Sequence, residues 1–165
     1  MIKVFIDGQA GTTGLQLKSK LVNHPYVTLL EIDEEKRKDS SERKKLMNES
    51  DVVFLCLPDE AAKEAVKLVE NPETVVIDAS TAHRTNDGWT YGFPELSKAH
   101  FDAIKSSKRI ANPGCHATGF ISIVYPLVSG GIMPKNYPVT AHSITGYSGG
   151  GNLLYCEQLR DSFSA

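Results

Sequence analysis

One cysteine stands where a thiol can act as a nucleophile. Cys115 lies in the segment ANPGCHATG, after a Pro-Gly turn and at the start of an apolar run that predicts a helix. Unpaired N–H groups at a helix N-terminus stabilise a thiolate over a thiol. A free cysteine is more often a small buried residue, an interpretation that suits Cys56 and Cys156 within their apolar runs. The polar turn before Cys115 favours the nucleophile.

A glycine-rich segment near the N-terminus could bind a dinucleotide. GQAGTTG, residues 8–14, follows the β-branched run IKVFID and precedes the helical pattern LQLKSKLV. A glycine loop between a strand and a helix presents backbone N–H groups to a pyrophosphate. The spacing G-x-x-G-x-x-G differs from the commoner G-x-G-x-x-G, and a tight turn without a ligand is the alternative. A thiol near a nicotinamide indicates hydride exchange with a thioester or thiohemiacetal.

The residues expected near the adenosine ribose of the cofactor are compatible with either NAD or NADP. Asp33 lies about where a carboxylate binds the ribose hydroxyls of NAD. Three basic residues follow at once, and they could hold the 2′-phosphate of NADP: Lys36, Arg37 and Lys38. The spacing alone leaves both cofactors open.

The elements that must position these residues follow an alternating pattern. Apolar runs such as DVVFLCL and TVVIDAS are separated by helical patterns such as DEAAKEAVKLVE. Strands that are apolar throughout predict a parallel sheet with helices on both faces. We therefore expect an α/β, Rossmann-type doubly wound sheet over residues 1–129. Residues 130–165 are expected to begin an α+β substrate and dimerisation domain, with its first strand in MPKNYPVTAHSITGYS.

The composition of the chain argues against several classes of function. The chain has 165 residues and a net charge of −2, which gives no reason to expect nucleic acid as a partner. No apolar run approaches a membrane span, and the first residues form a strand pattern rather than a signal peptide. Three widely spaced cysteines indicate neither a disulfide framework nor a metal site. We expect a cytoplasmic protein without a metal.

Five segments in this order resemble one family. GQAGTTG, DASTAHRT, YGFPEL, ANPGCHATG and GYSGGG are similar to the motifs of N-acetyl-gamma-glutamyl-phosphate reductase, of its shorter second type. The resemblance runs from Met1 to about Gly151. Aspartate-semialdehyde dehydrogenases share the glycine loop and the cysteine, and an enzyme of that kind is the alternative. DASTAHR followed by YGFPEL favours the reductase.

The resemblance implies a reaction and a set of site residues. N-acetyl-gamma-glutamyl phosphate, an acyl phosphate, would be reduced by NADPH to N-acetylglutamate 5-semialdehyde, in arginine biosynthesis, with Cys115 as the catalytic nucleophile. The implied cofactor-binding residues are Gly8, Gly11, Thr12, Thr13, Gly14, Lys36, Arg37 and Ser80. The implied substrate-binding residues are Arg84, Asn112, His142, Ser148, Gly149 and Gly150. The basic pair in the first list indicates NADP rather than NAD.

The resemblance also implies a missing part. Chains of this family are longer, and their second half supplies a catalytic histidine and a homo-oligomer interface. We therefore expect a complete cofactor domain with its nucleophile and without a general acid–base; His116 and His142 are more typical of structural histidines. Two other functions stay open: an inactive dinucleotide-binding module, which needs no Cys115, and a cysteine hydrolase, which needs no glycine loop.

Overall fold

A parallel sheet forms the centre of the molecule. The computed structural model describes residues 1–146 and residue 149, and within them six strands pair in the order β2-β1-β3-β4-β6-β5. The strands are β1 (Ile2–Asp7), β2 (Val27–Leu30), β3 (Val52–Leu55), β4 (Val75–Asp78), β5 (Thr90–Tyr91) and β6 (Arg109–Ala111). The helices are α1 (Thr12–Leu21), α2 (Ser40–Glu49), α3 (Asp59–Val66), α4 (Lys98–Ser106) and α5 (Cys115–Ser129), with short 3₁₀ turns at Glu34–Lys36 and Pro94–Leu96.

The strand order makes the fold doubly wound. The chain steps from β1 to β2 on one side and then crosses to β3 on the other side of β1. Right-handed crossovers between parallel strands therefore put α1 and α4 on one face of the sheet and α2 and α3 on the other. The predicted Rossmann-type fold is confirmed.

The two faces of the sheet are covered unequally. The main cluster of buried apolar side chains joins the sheet to α2 and α3. Its members include Phe5, Leu46, Met47, Val53, Ala62, Ala65 and Val76. On the other face, α1 buries only Gly14 and α4 contains no buried residue. Helix α5 contains no buried residue either. Ala62 and Ala65 are the buried residues of α3, and both lie in the cluster.

One predicted strand is not found in the described residues. Residues 133–146, the described part of MPKNYPVTAHSITGYS, form no strand and run beside α5. A strand exists only where a neighbour completes its hydrogen bonds, and residues 133–146 pair with none of the six strands. The predicted boundary at residue 129 coincides with the end of α5, and the division into two domains stays a prediction.

None of the helices in residues 1–146 is long and apolar enough to cross a membrane.

Candidate active site

The glycine loop lies tightly against the end of β3. Gly8 has a φ of +86°, a conformation that residues with side chains rarely adopt. A Cβ at Gly8 would lie 2.2 Å from the carbonyl oxygen of Cys56, and a Cβ at Gly14 would lie 2.4 Å from the carbonyl oxygen of Gly8. Both positions therefore require glycine, because the loop touches backbone on both sides.

The loop ends at the N-terminus of α1. Gly11 is the N-cap, and Thr12 and Thr13 are the first residues of the helix. The first N–H groups of an α-helix have no partner within the helix, so this turn can receive an anion such as a pyrophosphate. The structure thus places the five predicted loop residues at one helix start.

A cavity of about 330 Å³, which we call the nucleotide cavity, opens beside the glycine loop. Its wall contains residues 8–10, Ile32, Leu57 and Ala61. It lies where the connections after β1 and β3 diverge to opposite faces of the sheet. Open α/β sheets bind their ligands at such a switch point.

The basic side chains of the nucleotide cavity include one member of the predicted pair. Arg37 and Lys38 line it, together with Arg43 from α2. Lys36 is not among the lining residues, and its ammonium lies 3.9 Å from the carboxylate of Asp33. The 3₁₀ turn at Glu34–Lys36 therefore presents the residues after it, rather than Lys36, to the cavity.

A buried ion pair supports the floor of the nucleotide cavity. Asp7, the last residue of β1, accepts hydrogen bonds from Nε and Nη2 of Arg43, the closest at 2.6 Å. Both side chains are largely buried. A carboxylate next to a pyrophosphate site would repel the ligand, and the guanidinium offsets that charge. The sequence did not predict this pair, although an aspartate at the end of a buried strand is a visible signal.

The predicted nucleophile lies at a helix start. Cys115 is the first residue of α5 and is exposed, with Gly114 as the N-cap. It lines a second cavity, of about 520 Å³, which we call the thiol cavity. Other walls of the thiol cavity come from α5, including Phe120 and Ile123, and from residues 139–143. The position agrees with the helix N-terminus predicted for a thiolate.

Two histidines share the thiol cavity with the cysteine. His142 lines it from the segment after α5, and its residue is exposed. His116 also lines it, with Nε2 2.6 Å from the hydroxyl oxygen of Thr145 and Nδ1 hydrogen-bonded to the hydroxyl of Ser143. These two hydrogen bonds tie α5 to the segment that covers it.

The other described cysteine has different surroundings. Cys56 follows β3 and is half-buried. Burial raises the pKa of its thiol to about 11, and the carboxylates of Asp7 and Asp78 add to the increase. Cys56 is therefore a poor nucleophile near neutral pH.

The remaining predicted residues occupy several places. Ser80 is buried and donates its hydroxyl to Asp78, at 2.6 Å. Arg84 and Asn112 meet at the turn before Cys115, where Nε of the arginine donates to the asparagine carbonyl. Gly149 is exposed. Three residues named from the sequence, Ser148, Gly150 and Cys156, lie outside the described residues. The roles given to all these residues stay predictions.

The two cavities lie along one edge of the sheet. The glycine loop follows β1 and Cys115 follows β6, and the ends of parallel strands lie at one edge. Three strand spacings separate β1 from β6, so about 14 Å separates them at roughly 4.8 Å per spacing. An extended dinucleotide with its pyrophosphate at the loop would therefore reach toward the thiol.

These features define a dinucleotide-binding α/β domain with a cysteine at the far end of the same edge. The chain matches the family described as semialdehyde dehydrogenase, NAD binding domain, over residues 3–104, and it belongs to this family. Binding of a nicotinamide dinucleotide, predicted from the glycine loop, is thereby confirmed.

Individual proteins similar to this chain bear the name of one reductase. The chain is 50% identical over 161 residues to N-acetyl-gamma-glutamyl-phosphate reductase from Trichormus variabilis, covering 98% of this chain and 49% of the relative. It is 52% identical over 152 residues to the protein of that name from Chelativorans sp., covering 92% and 49%. The predicted resemblance is confirmed, and the chain spans about half the length of the curated relatives it matches.

The fold is also found in solved structures. Aspartate semialdehyde dehydrogenase from Francisella tularensis superposes with a TM-score of 0.72 at 19% sequence identity. The match covers 98% of this chain and 49% of that chain. At this identity the likeness concerns the fold alone.

Proposed function

We propose that the protein containing this chain reduces N-acetyl-gamma-glutamyl phosphate to N-acetylglutamate 5-semialdehyde, using NADPH and releasing phosphate, in arginine biosynthesis. The observation that carries the proposal is the position of Cys115. An exposed thiol begins a helix at the same sheet edge as the glycine loop. Relatives about 50% identical bear the name of this reductase.

The chemistry assigned to Cys115 is acyl transfer. Its thiolate would attack the acyl carbon, so that a C–S bond forms while the C–O bond to the phosphate breaks. Cys115 begins α5, where the first backbone N–H groups have no partner within the helix. Bound NADPH would supply the hydride that reduces the resulting thioester. The thiolate leaves when the C–S bond breaks, and the aldehyde is released.

The preference for NADPH rests on charge. Arg37 and Lys38 line the nucleotide cavity, while Asp33 lies against Lys36 and outside the cavity wall. Guanidinium and ammonium groups bind a phosphate by charge-assisted hydrogen bonds. Both side chains are therefore proposed to hold the 2′-phosphate.

Two of the residues assigned to the substrate lie close to Cys115. His142 shares the thiol cavity with Cys115, and Asn112 begins the turn that leads to it. The contacts proposed for Ser148, Gly149 and Gly150 rest on the resemblance of their motif. General acid–base help is worth about 10²–10⁴-fold in rate. We assign it to a group outside residues 1–146, because both imidazole nitrogens of His116 already bind hydroxyls and His142 is assigned to the substrate.

Assembly and location follow from the same proposal. We propose a cytoplasmic enzyme with a small-molecule substrate that is a homo-oligomer in its full-length form, with residues 130–165 beginning the substrate and dimerisation domain. Apolar side chains such as Ile123 and Ile132 are 68% and 75% exposed in and after α5. Exposed apolar surface of this kind supports association with further protein.

The test is the reverse reaction, assayed with the full-length protein that contains this chain. N-acetylglutamate 5-semialdehyde, phosphate and NADP should give NADPH, followed by its absorbance. We expect Cys115→Ala to abolish the signal while NADPH affinity stays within about twofold, since binding and acyl transfer use separate cavities. Cys56→Ala is the matched control and should retain turnover. Turnover that survives Cys115→Ala would refute the thioester route.

A second candidate is a dinucleotide-binding module without chemistry. The observation that favours it is the unequal packing: the nucleotide cavity adjoins the buried core, whereas α5 has no buried residue. NADPH binding without turnover, combined with a Cys115 that labels no faster than Cys56, would support this module over the reductase.

A further inference from the structure

The loop after β4 is organised by one buried carboxylate. Asp78 is completely buried and accepts three hydrogen bonds from its own loop. The Ser80 backbone N–H donates at 3.0 Å and its hydroxyl at 2.6 Å, while Nδ1 of His83 lies 2.6 Å away. A buried carboxylate needs such partners. The loop from residue 78 to residue 83 is therefore folded around a fixed centre.

His83 is held from its other side by an aromatic ring. It is 6% exposed, and its ring stacks on Trp89 with centroids 4.1 Å apart and an angle of 15° between planes. Trp89 packs against the main apolar cluster. Because His83 is fixed by both contacts, the backbone of its neighbour Arg84 is fixed as well.

Arg84 links this loop to the turn before the thiol. Its Nε donates to the carbonyl of Asn112 at 3.0 Å, and its Nη2 donates to the carbonyl of Ala79 at 3.1 Å. Its guanidinium also lies against Gly114, where a Cβ would be 2.7 Å from Nη1. One side chain thus joins the end of β4 to both ends of the turn from residue 112 to residue 114.

We propose that Arg84 is a positioning residue for Cys115. It holds the 112–114 turn so that the thiol stays in line with the N–H groups that begin α5, and it places a positive charge beside the residue before the thiol. The inference rests on the proposed function, in which Cys115 is the nucleophile. The predicted contact of Arg84 with the acyl phosphate stays a prediction, and two of its three nitrogens already bind backbone carbonyls.

The contacts show that Arg84 acts on the residue before Cys115 rather than on the pairing of the sheet. A second hydrogen bond, from the backbone N–H of Asn112 to the carbonyl of Asp78 at 2.8 Å, already ties the start of the turn to β4. The end of the turn at Gly114 lies against Arg84. Loss of the arginine should therefore release the residue next to Cys115 while the sheet stays paired.

The experiment measures the alkylation rate of Cys115 by iodoacetamide at pH 6.5 in the 165-residue chain, by peptide mass spectrometry with Cys56 as internal reference. We expect Arg84→Ala to slow labelling of Cys115 by about 2- to 10-fold, the range for a charge interacting with a helix terminus. Labelling of Cys56 should not change. Arg109→Ala is the matched control, because Arg109 also donates to backbone carbonyls but at the opposite end of β6.

A second variant covers the case in which Arg84→Ala loses its fold, as judged by circular dichroism. Gly114→Ala keeps the arginine and displaces its guanidinium, and a φ of −80° tolerates alanine. It should slow Cys115 by a similar factor. Fast labelling of Cys115 that neither variant changes would overturn the positioning role alone. Slow labelling in the unaltered chain would overturn both this role and the proposed nucleophile.

Discussion

The nucleotide cavity and the thiol cavity are supported in different ways. Beside the nucleotide cavity, Gly8 lies against the backbone of Cys56, and α2 and α3 bury apolar side chains against the sheet. Beside the thiol cavity, α5 buries none, and the turn before Cys115 is held by one hydrogen bond from Arg84 and one from the Asn112 N–H to the carbonyl of Asp78. Close backbone packing tolerates little change, whereas a few polar contacts can be altered without loss of the fold. Substitutions beside the nucleotide cavity should therefore affect stability and nucleotide binding. Substitutions beside the thiol cavity should affect the reactivity of Cys115.

The largest effect is expected at the glycine loop. Gly8→Ala combines a positive φ, worth about 1–2 kcal/mol, with overlap against a backbone carbonyl, worth about 1–3 kcal/mol. The free energy of unfolding should fall by about 2–5 kcal/mol, and NADPH binding should be lost. Thermal unfolding and nucleotide titration measure the two effects.

Gly88→Ala is the matched control for this substitution. Gly88 has a φ of +81°, and a Cβ there would meet no atom within 4 Å. Only the backbone cost of about 1–2 kcal/mol should appear. Equal losses of stability in the two variants would contradict the tight contact between the glycine loop and β3.

A smaller effect is expected at the basic wall of the nucleotide cavity. Replacing Arg37 and Lys38 together by alanine should weaken NADPH binding by about 1.5–3 kcal/mol and leave NADH binding nearly unchanged, since only NADPH carries the 2′-phosphate. Affinities for both nucleotides, from titration of Trp89 fluorescence, give the measurement. Lys36→Ala is the control and should retain the preference for NADPH over NADH. Loss of this preference in Lys36→Ala would show that Lys36 binds the 2′-phosphate.

The sheet was predictable because its signals are local. Buried parallel strands are apolar throughout, and a glycine loop between a strand and a helix has few other interpretations. The helix start at Cys115 followed from the Pro-Gly turn. The strand expected within residues 133–148 rested on a mixed polar and apolar pattern, and a strand also requires a neighbour, which a pattern cannot supply.

The supports of the site were not predictable, because they join distant residues. Arg43 reaches Asp7 across 36 positions, and Arg84 reaches Asn112 across 28. Both contacts depend on how loops meet at one sheet edge. The replacement of Lys36 by Lys38 in the cavity wall depends on a single 3₁₀ turn, whose side-chain directions no periodicity indicates.

The smallest effect is expected at Cys56. The two carboxylates that act on its thiol belong to the two supports compared above: Asp7 lies beside the nucleotide cavity, and Asp78 organises the loop that holds the turn before Cys115. The pKa of Cys56 is raised from an ordinary 9.0 to about 11, mainly by burial. Since the unfolded chain releases this proton first, the contribution to stability is fully present below pH 9 and is lost as pH rises through 11. We expect the unaltered chain to lose more stability between pH 9 and 11 than Cys56→Ala, measured by urea unfolding. The difference should be small, because the thiol is only partly buried. Identical pH profiles would show that Cys56 ionises as it does in the unfolded chain, and that the end of β3 is more open to water than the packing around Gly8 requires.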